Sequence, residues 1–179
     1  GIEYQPEKVA GTILYTAKNK KYIGYIVISD ELKEDTEKAI KNLKGILKYT
    51  VMLTGDSYLA AENIAEKIGI NKFYAELLPD QKVEKLEELI NSKNKNKSVI
   101  FVGDGINDAP VITRADAGIA MGGLGSDAAI EAADAVIMDD NPNKIYKTIL
   151  IARKTMSIVK QNIVFALGVK ALFLILGAM

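Results

Sequence analysis

Short apolar segments alternate with longer amphipathic segments through most of this 179-residue chain, and this alternation constrains the fold more than any other feature. Apolar strands are predicted at residues 49–53, 98–102, 117–121 and 135–138, with helical periodicity between most of them. Strands that alternate with helices at this spacing pair in parallel and carry helices on both faces of the sheet. The sequence therefore predicts an α/β, Rossmann-like fold with a parallel sheet.

The two ends of the chain follow other patterns. Residues 10–16 and 22–29 predict two strands joined by a turn. From Asn143 onward the pattern is helical, and the last 17 residues, 163–179, contain one charge, Lys170. A membrane-spanning helix needs about 17–25 apolar residues. The final segment therefore reaches the lower limit of a membrane span, and we expect a helix that enters a lipid bilayer.

Composition excludes several classes of function. The chain has no cysteine and no histidine, so it offers neither a thiol nucleophile nor a zinc site of the Cys/His type. Its formal net charge is zero, and nothing suggests nucleic acid as a partner. The N-terminus lacks the apolar core of a signal peptide. Acid–base chemistry must therefore fall to Asp, Glu, Lys or Tyr.

The segment FVGDGINDAP follows a predicted buried strand and concentrates acidic and amide side chains. Asp104, Asn107 and Asp108 offer oxygen ligands of the kind that Mg²⁺ prefers. Gly103 and Gly105 allow a tight turn and a close approach to a phosphate. The alternative is an acidic turn in which Asn107 or Asp108 caps the next helix. Two acids and two glycines after a buried strand favour the metal site.

Two further segments carry groups that suit phosphate. The segment TGD, Thr54 to Asp56, follows a predicted strand and offers a hydroxyl and backbone N–H groups, although Asp56 could simply cap the next helix. Lys82 lies in the first turn of a predicted helix, where a cation opposes the helix dipole. A phosphate or an aspartate would compensate this charge; the alternative is an ordinary surface lysine.

The order of these segments is more specific than any of them alone. TVMLTGD, AELLPDQKVEKL and VGDGINDAPVITRADAGIAMG resemble the phosphorylation domain of P-type ATPases, which belong to the haloacid-dehalogenase superfamily. The segment AADAVIMDDN and the helix that enters the membrane resemble the heavy-metal-transporting branch of that family. The resemblance extends from about Gly11 to Met179.

The resemblance implies an ATP-driven metal pump with Mg²⁺ and ATP as cofactors. It assigns the metal site to Asp104, as the main ligand, and Asp108. The catalytic residues would be Lys82, which neutralises the phosphoryl charge, and the TGD segment, which holds the phosphoryl oxygens and the nucleotide phosphates. The positions implied for cofactor binding are Thr54, Gly55, Asp56, Asp30, Gly103, Gly105 and Asn107. This set of residues suits phosphoryl transfer, which requires positioning of the reactants and neutralisation of charge.

The nucleophile of this family, an aspartate in a D-K-T-G-T motif, does not occur in the 179 residues. We therefore expect a fragment whose isolated form is inactive. One alternative is a soluble phosphatase that uses Asp30, but such enzymes place Asp or Thr two residues later, where this chain has Leu32. The other alternative is a non-catalytic module that binds Mg²⁺ or phosphate. We interpret Asp30 as part of the surroundings of the cofactor site.

The resemblance also predicts the domain layout. Residues 1–20 would end a nucleotide-binding insertion, 21–142 would form the phosphorylation domain, and 143–179 would be a stalk helix that runs into a truncated membrane helix. The segment QNIVFALGVK, which ends at Lys170, resembles pumps for Zn²⁺, Cd²⁺ and Pb²⁺. This resemblance implies a transport role for Lys170, as an internal counter-ion that helps to release the divalent ion. The implied partners are one of these ions, the lipid bilayer and the remaining domains of the pump. The phosphorylation domain would lie on the cytoplasmic side of the plasma membrane.

Overall fold

The computed structural model describes residues 12–28, 32–33, 35–103, 106–122, 127–139 and 141–178. Asp30, Asp104 and Gly105, which were predicted to contribute to the site, lie outside these residues.

A β-hairpin opens the described chain. β1 (Thr12–Lys18) and β2 (Lys21–Ile28) pair in antiparallel fashion, which confirms the two strands predicted from the sequence. The turn between them places Asn19 and Lys20 at positive φ, 52° and 62°. Two successive left-handed residues give the turn the twist that a two-residue hairpin connection requires.

The rest of the chain alternates helices and short strands as the sequence predicts. In chain order the elements are α1 (Thr36–Ile46), β3 (Val51–Leu53), α2 (Tyr58–Ile68), β4 (Lys72–Tyr74), α3 (Pro79–Ser92), β5 (Ile100–Gly103), a 3₁₀ turn (Ile106–Asp108), α4 (Ala109–Arg114), β6 (Ala117–Met121), α5 (Asp127–Ala132), β7 (Ala135–Ile137) and α6 (Asn143–Ala178).

The strands of this α/β part pair in parallel, as predicted, but in two groups. β3 pairs with β4, and β6 lies between β5 and β7. Within the described residues, β3 and β5 are not hydrogen-bonded to each other, so each has one edge without a strand partner. The carboxyl ends of β3 and β5 lead directly into the TGD segment and the acidic segment. Such ends are where parallel α/β folds build their sites.

The larger hydrophobic core joins the sheet of β5, β6 and β7 to two helices. Leu43 of α1, Ile119 of β6, Ile137 of β7, and Ile145 and Ile149 of α6 form one buried cluster. The first two turns of α6 are therefore part of the α/β core. The burial of five branched aliphatic side chains provides the principal attraction between α6 and the domain.

The remainder of α6 extends beyond this core. Its 36 residues correspond to a length of about 54 Å at 1.5 Å per residue. Every described residue from 150 to 178 is exposed, including the apolar run that begins at Ile163. Among the described residues, α6 is the one helix long and apolar enough to cross a membrane. An apolar surface without a protein partner at this end fits a lipid environment.

A carboxylate fixes the start of β5. Lys93 Nζ pairs with Asp116 Oδ2, and the Val99 N–H donates to the same oxygen at 2.7 Å. The hydrogen bond from Lys93, followed by that from Val99, lowers the pKa of Asp116 below its usual range. The two contacts fix the N-terminal end of β5, and the acidic segment follows the C-terminal end of the same strand.

Candidate active site

The TGD segment closes on itself after β3. The Thr54 hydroxyl donates to Asp56 Oδ2 at 2.6 Å, and the Asp56 N–H donates back to Thr54 Oγ1 at 3.1 Å. Ser57, not Asp56, occupies the N-cap position of α2. Gly55 runs close to the next loop, because a Cβ at this position would lie 3.3 Å from the Leu77 carbonyl oxygen. The capping alternative for Asp56 is therefore not observed, and its carboxylate instead orients the Thr54 hydroxyl.

Backbone hydrogen bonds join this segment to the loop after β4. Thr54 N–H donates to the Tyr74 carbonyl at 3.0 Å, and Leu77 N–H donates to the Thr54 carbonyl at 3.1 Å. Glu76 N–H donates to the Asp56 carbonyl at 2.8 Å. Three main-chain bonds across two loops leave the TGD segment little freedom to move independently. A site for phosphoryl oxygens gains from such preorganisation.

Lys82 reaches the site from the first turn of α3. The helix begins at Pro79, and the Leu78 N–H donates to Gln81 Oε1 at 2.9 Å, as expected of a well-formed helix start. Lys82 Nζ lies 2.9 Å from Asp108 Oδ1, and the two side chains are 17% and 14% exposed. Asp108 thus supplies the compensating charge that the position of Lys82 requires. The surface-lysine alternative does not describe this contact.

Asp108 lies at the end of the 3₁₀ turn and points toward Lys82 rather than toward its own helix. It occupies the N-cap position of α4 but makes no side-chain capping bond. Gly103, the last residue of β5, lies directly beside it: a Cβ at Gly103 would be 2.8 Å from Asp108 Cβ and 2.9 Å from Oδ2. The absence of a side chain at Gly103 therefore makes room for the Asp108 carboxylate. Asn107 lies next to it and is exposed.

The donor set that the structure describes fits a magnesium site in part. Asp108 Oδ1 accepts from Lys82, which leaves Oδ2 for a further partner. Mg²⁺ is usually held by one or two carboxylates together with water and phosphate oxygens, and it requires no large acidic cluster. No group of three acidic or metal-binding side chains occurs within the described ranges. Asp108 and Asn107 fit the outer part of such a site, and the predicted main ligand, Asp104, remains a prediction.

Glu76 also lies at the site, although the sequence did not predict it. Glu76, in the loop after β4, has a φ of +58°, and its Oε1 accepts a 3.3 Å hydrogen bond from the Tyr58 N–H at the start of α2. Glutamate has no special preference for the left-handed region, so no sequence signal indicates this conformation. Lys170, the predicted transport residue, lies in the exposed apolar part of α6 and far along the helix from Ile149, its last buried residue.

Comparisons with known proteins give a family and a set of similar proteins. A family profile described as haloacid dehalogenase-like hydrolase matches residues 3–116. The chain is 56% identical over 177 residues to a zinc-transporting ATPase of a Synechocystis species. This match covers 98% of this chain and 24% of that protein. It is 55% identical over 178 residues to a cadmium, zinc and cobalt-transporting ATPase of Bacillus subtilis, covering 99% of this chain and 25% of that protein.

A solved structure gives the same result for the fold. The crystal structure of a zinc-transporting PIB-type ATPase in the E2·Pi state matches with a TM-score of 0.80 and 38% sequence identity. The match covers 93% of this chain and 26% of the other. The chain thus spans about a quarter of the length of the relatives that it matches.

Proposed function

Because this chain belongs to the haloacid dehalogenase-like hydrolases, within their heavy-metal P-type ATPase branch, we propose that it contributes the phosphorylation domain and stalk of a pump that exports Zn²⁺, Cd²⁺ or Pb²⁺ at the expense of ATP. The near-complete match to the Synechocystis zinc-transporting ATPase carries this proposal. The activity, the transported ion and the partners belong to the whole pump. This chain corresponds to about a quarter of the length of such pumps among its relatives.

The described side chains support distinct roles in phosphoryl transfer. Lys82 neutralises charge on the transferred phosphoryl group, and its contact with Asp108 places its ammonium between α3 and α4. The Thr54 hydroxyl donates its one proton to Asp56 Oδ2 in this structure, and it would turn that proton toward a phosphoryl oxygen once phosphate binds. Gly55 lets the TGD segment pack closely against the Leu77 carbonyl. Fixed donors and a cation aimed at the reacting phosphoryl group are the main requirements of this reaction.

Asp104 and Asp108 would hold the magnesium ion, with Asn107 as a supporting oxygen donor. Bound there, Mg²⁺ would neutralise charge on the phosphate oxygens during transfer. Asp108 also holds Lys82, so one carboxylate would contact both the lysine ammonium and the magnesium ion. Gly103 keeps that carboxylate close to the strand end. Asp30 and Gly105 remain predicted members of the surroundings.

The phosphorylated aspartate must come from another segment of the pump, since no D-K-T-G-T motif occurs in this chain. The unpartnered edges of β3 and β5 within the described sheets support a specific place for it. A strand that paired with both edges would join the two groups into one parallel sheet. Its carboxyl end would then lie between the TGD segment and the acidic segment.

The exposed apolar part of α6 supports a membrane location. The proposal places the α/β domain on the cytoplasmic side, as the resemblance to P-type ATPases implies. The same helix argues against a soluble phosphatase based on Asp30, because a soluble enzyme gains nothing from a long unpartnered apolar surface. Lys170 lies in that apolar part and is proposed to act as an internal counter-ion that assists release of the divalent metal.

The test uses the complete polypeptide that contains these 179 residues, reconstituted into lipid vesicles. ATP hydrolysis is measured with Zn²⁺, Cd²⁺, Pb²⁺ or Cu⁺, and with magnesium removed as a control. We expect stimulation by the first three ions, and no hydrolysis without magnesium. Equal rates with and without every metal ion would contradict the proposal. Hydrolysis of small phosphate esters that disappears in Asp30→Asn would favour the phosphatase instead.

A further inference from the structure

We propose that Glu76 is a positioning residue that holds the TGD segment in register with Lys82, an inference that rests on the proposed phosphoryl-transfer function. It is one of four non-glycine residues at positive φ within the described chain, with Asn19, Lys20 and Asp35. Of the four, Glu76 is the one whose neighbours belong to the candidate site. A strained backbone that persists at a site is evidence for a role there.

The left-handed backbone at Glu76 directs two successive N–H groups toward the TGD segment. The N–H of Glu76 donates to the Asp56 carbonyl at 2.8 Å, and that of Leu77 donates to the Thr54 carbonyl at 3.1 Å. These carbonyls flank Gly55. Glu76 and Leu77 together therefore bind both sides of the segment that is proposed to contact the phosphates.

The Glu76 side chain makes a second connection, to the start of α2. Its Oε1 accepts from the Tyr58 N–H at 3.3 Å, whereas Ser57, the N-cap residue, makes no side-chain capping bond. A carboxylate suits this place, because the first N–H groups of a helix are unsatisfied and the helix dipole favours negative charge there. Glu76 thus performs from another loop the capping that the local sequence does not provide.

The same loop leads into the helix that carries Lys82. Leu78, two residues after Glu76, precedes the first residue of α3, and its carbonyl accepts the Lys82 N–H at 3.0 Å. The segment from Tyr74 to Leu78 is therefore bonded to the TGD segment at one end and to the helix of Lys82 at the other. A change at Glu76 would shift the phosphate-binding donors relative to the lysine, and such a small misplacement costs up to about a hundredfold in rate.

Three substitutions in the complete pump separate the contributions of backbone and side chain. Glu76→Gln keeps an oxygen that can accept from the Tyr58 N–H. Glu76→Ala removes the acceptor and keeps the strained backbone, and Glu76→Gly removes the acceptor but tolerates positive φ, so it remains foldable. Glu88→Ala is the matched control, because Glu88 is exposed on α3 and pairs with Lys85.

The readouts are kcat and KM for ATP, KM for the metal ion, and the thermal inactivation midpoint. We expect Glu76→Ala and Glu76→Gly to lower kcat/KM for ATP about tenfold or more, as misplacement of phosphate donors implies. The KM for metal should stay unchanged, and Glu76→Gln should retain activity within about threefold of wild type, since it keeps the acceptor. A purely structural role would lower the inactivation midpoint and leave KM for ATP unchanged.

Two results would overturn the inference while the proposed function stands. One is wild-type kcat/KM for ATP in both Glu76→Ala and Glu76→Gly. The other is an equal loss in Glu76→Gln and Glu76→Ala, which would exclude the hydrogen-bond acceptor as the cause. A wild-type pump without metal-stimulated hydrolysis would instead refute the proposed function, and this inference with it.

Discussion

Lys82 and Asp108 come from different elements and meet with most of their side-chain surface removed from water. A partly buried ion pair contributes modestly as a pair, but removal of one partner leaves the other charge without compensation. The pair therefore links the position of α3 to the acidic segment after β5. The two residues are 26 positions apart in sequence, so the contact depends on the fold and not on local structure.

The first prediction concerns Lys82. Lys82→Ala removes the cation proposed to face the phosphoryl group, and we expect the rate of phosphorylation by ATP to fall about 10²–10³-fold, as loss of one preorganised charge-stabilising group does. The matched control is Lys85→Ala, one turn later on α3, where the lysine pairs with Glu88 on the surface. Single-turnover phosphorylation of the complete pump measures both. Equal phosphorylation rates in the two variants would show that Lys82 does not act on the phosphoryl group.

The second prediction concerns Gly103. In Gly103→Ala the new Cβ would lie 2.8 Å from Asp108 Cβ, so the acidic turn must shift. We expect the free energy of unfolding to fall by about 1–3 kcal/mol, as is typical of overpacking, and the thermal inactivation midpoint to fall with it. Gly45→Ala in α1 is the control, because nothing lies within 4 Å of its Cβ position and alanine favours helix. If both variants retain the wild-type midpoint, the close approach of Asp108 to Gly103 is wrong.

Helix α6 connects two environments, the core of the α/β domain and the surroundings of its exposed apolar end. Ile145 and Ile149 lie in the core with Leu43 of α1, and Arg153 Nη2 donates to the Ile46 carbonyl at 3.0 Å, at the end of α1. A cation at a helix C-terminus interacts favourably with the last carbonyls. The contacts are concentrated in the first three turns of α6, and the helix then continues without a partner in the described chain. A movement of the domain would therefore be transmitted along the helix.

The third prediction tests this attachment. Ile149→Ala truncates a buried side chain, a change that typically lowers the free energy of unfolding by about 2–4 kcal/mol. We expect faster amide hydrogen exchange in α1 and β6, whose side chains share its cluster. Ile158→Ala is the control, since Ile158 lies on the same helix and is 46% exposed. Hydrogen exchange of the complete pump measures the difference. Unchanged exchange in α1 for Ile149→Ala would show that α6 is not anchored there.

The strands and helices could be predicted from the sequence because their patterns are local. Apolar runs and helix start signals, such as Pro79 and Gln81 in α3, depend on a few neighbouring residues. Contacts between distant segments were less accessible. The charge of Lys82 indicated that a partner was needed but did not identify Asp108, and nothing in the sequence indicated positive φ at Glu76. The division of the parallel strands into two groups was also not predicted, because strand order has no local signal.

The chain as a whole combines an α/β domain with a helix suited to lipid. Lys170 lies in the apolar run of that helix, and a charged residue at the bilayer centre costs about 2.5–3.5 kcal/mol on insertion scales. A residue with this cost is usually retained for function. We infer that it pairs with a carboxylate on another membrane helix and helps to release the divalent ion.

The fourth prediction follows from that role. In vesicles that contain the complete pump, Lys170→Ala should lower Zn²⁺ transport severalfold or change the preference among Zn²⁺, Cd²⁺ and Pb²⁺, because the internal cation is lost. Lys160→Ala is the control, since Lys160 precedes the apolar run. Metal uptake into inside-out vesicles measures both. Transport and selectivity that match wild type would exclude the counter-ion role.

The formation of a phosphoenzyme by the native polypeptide tests the proposed pump function most directly. Membranes of the source cell are incubated with ATP labelled at the γ-phosphate, and acid-stable label is resolved by the mass of the protein that carries it. We predict a metal-dependent labelled band about four times the mass of this 179-residue chain, because the chain spans about a quarter of its relatives. A native product of 179 residues, or a full-length product that takes no label with any of the three metals, would contradict it.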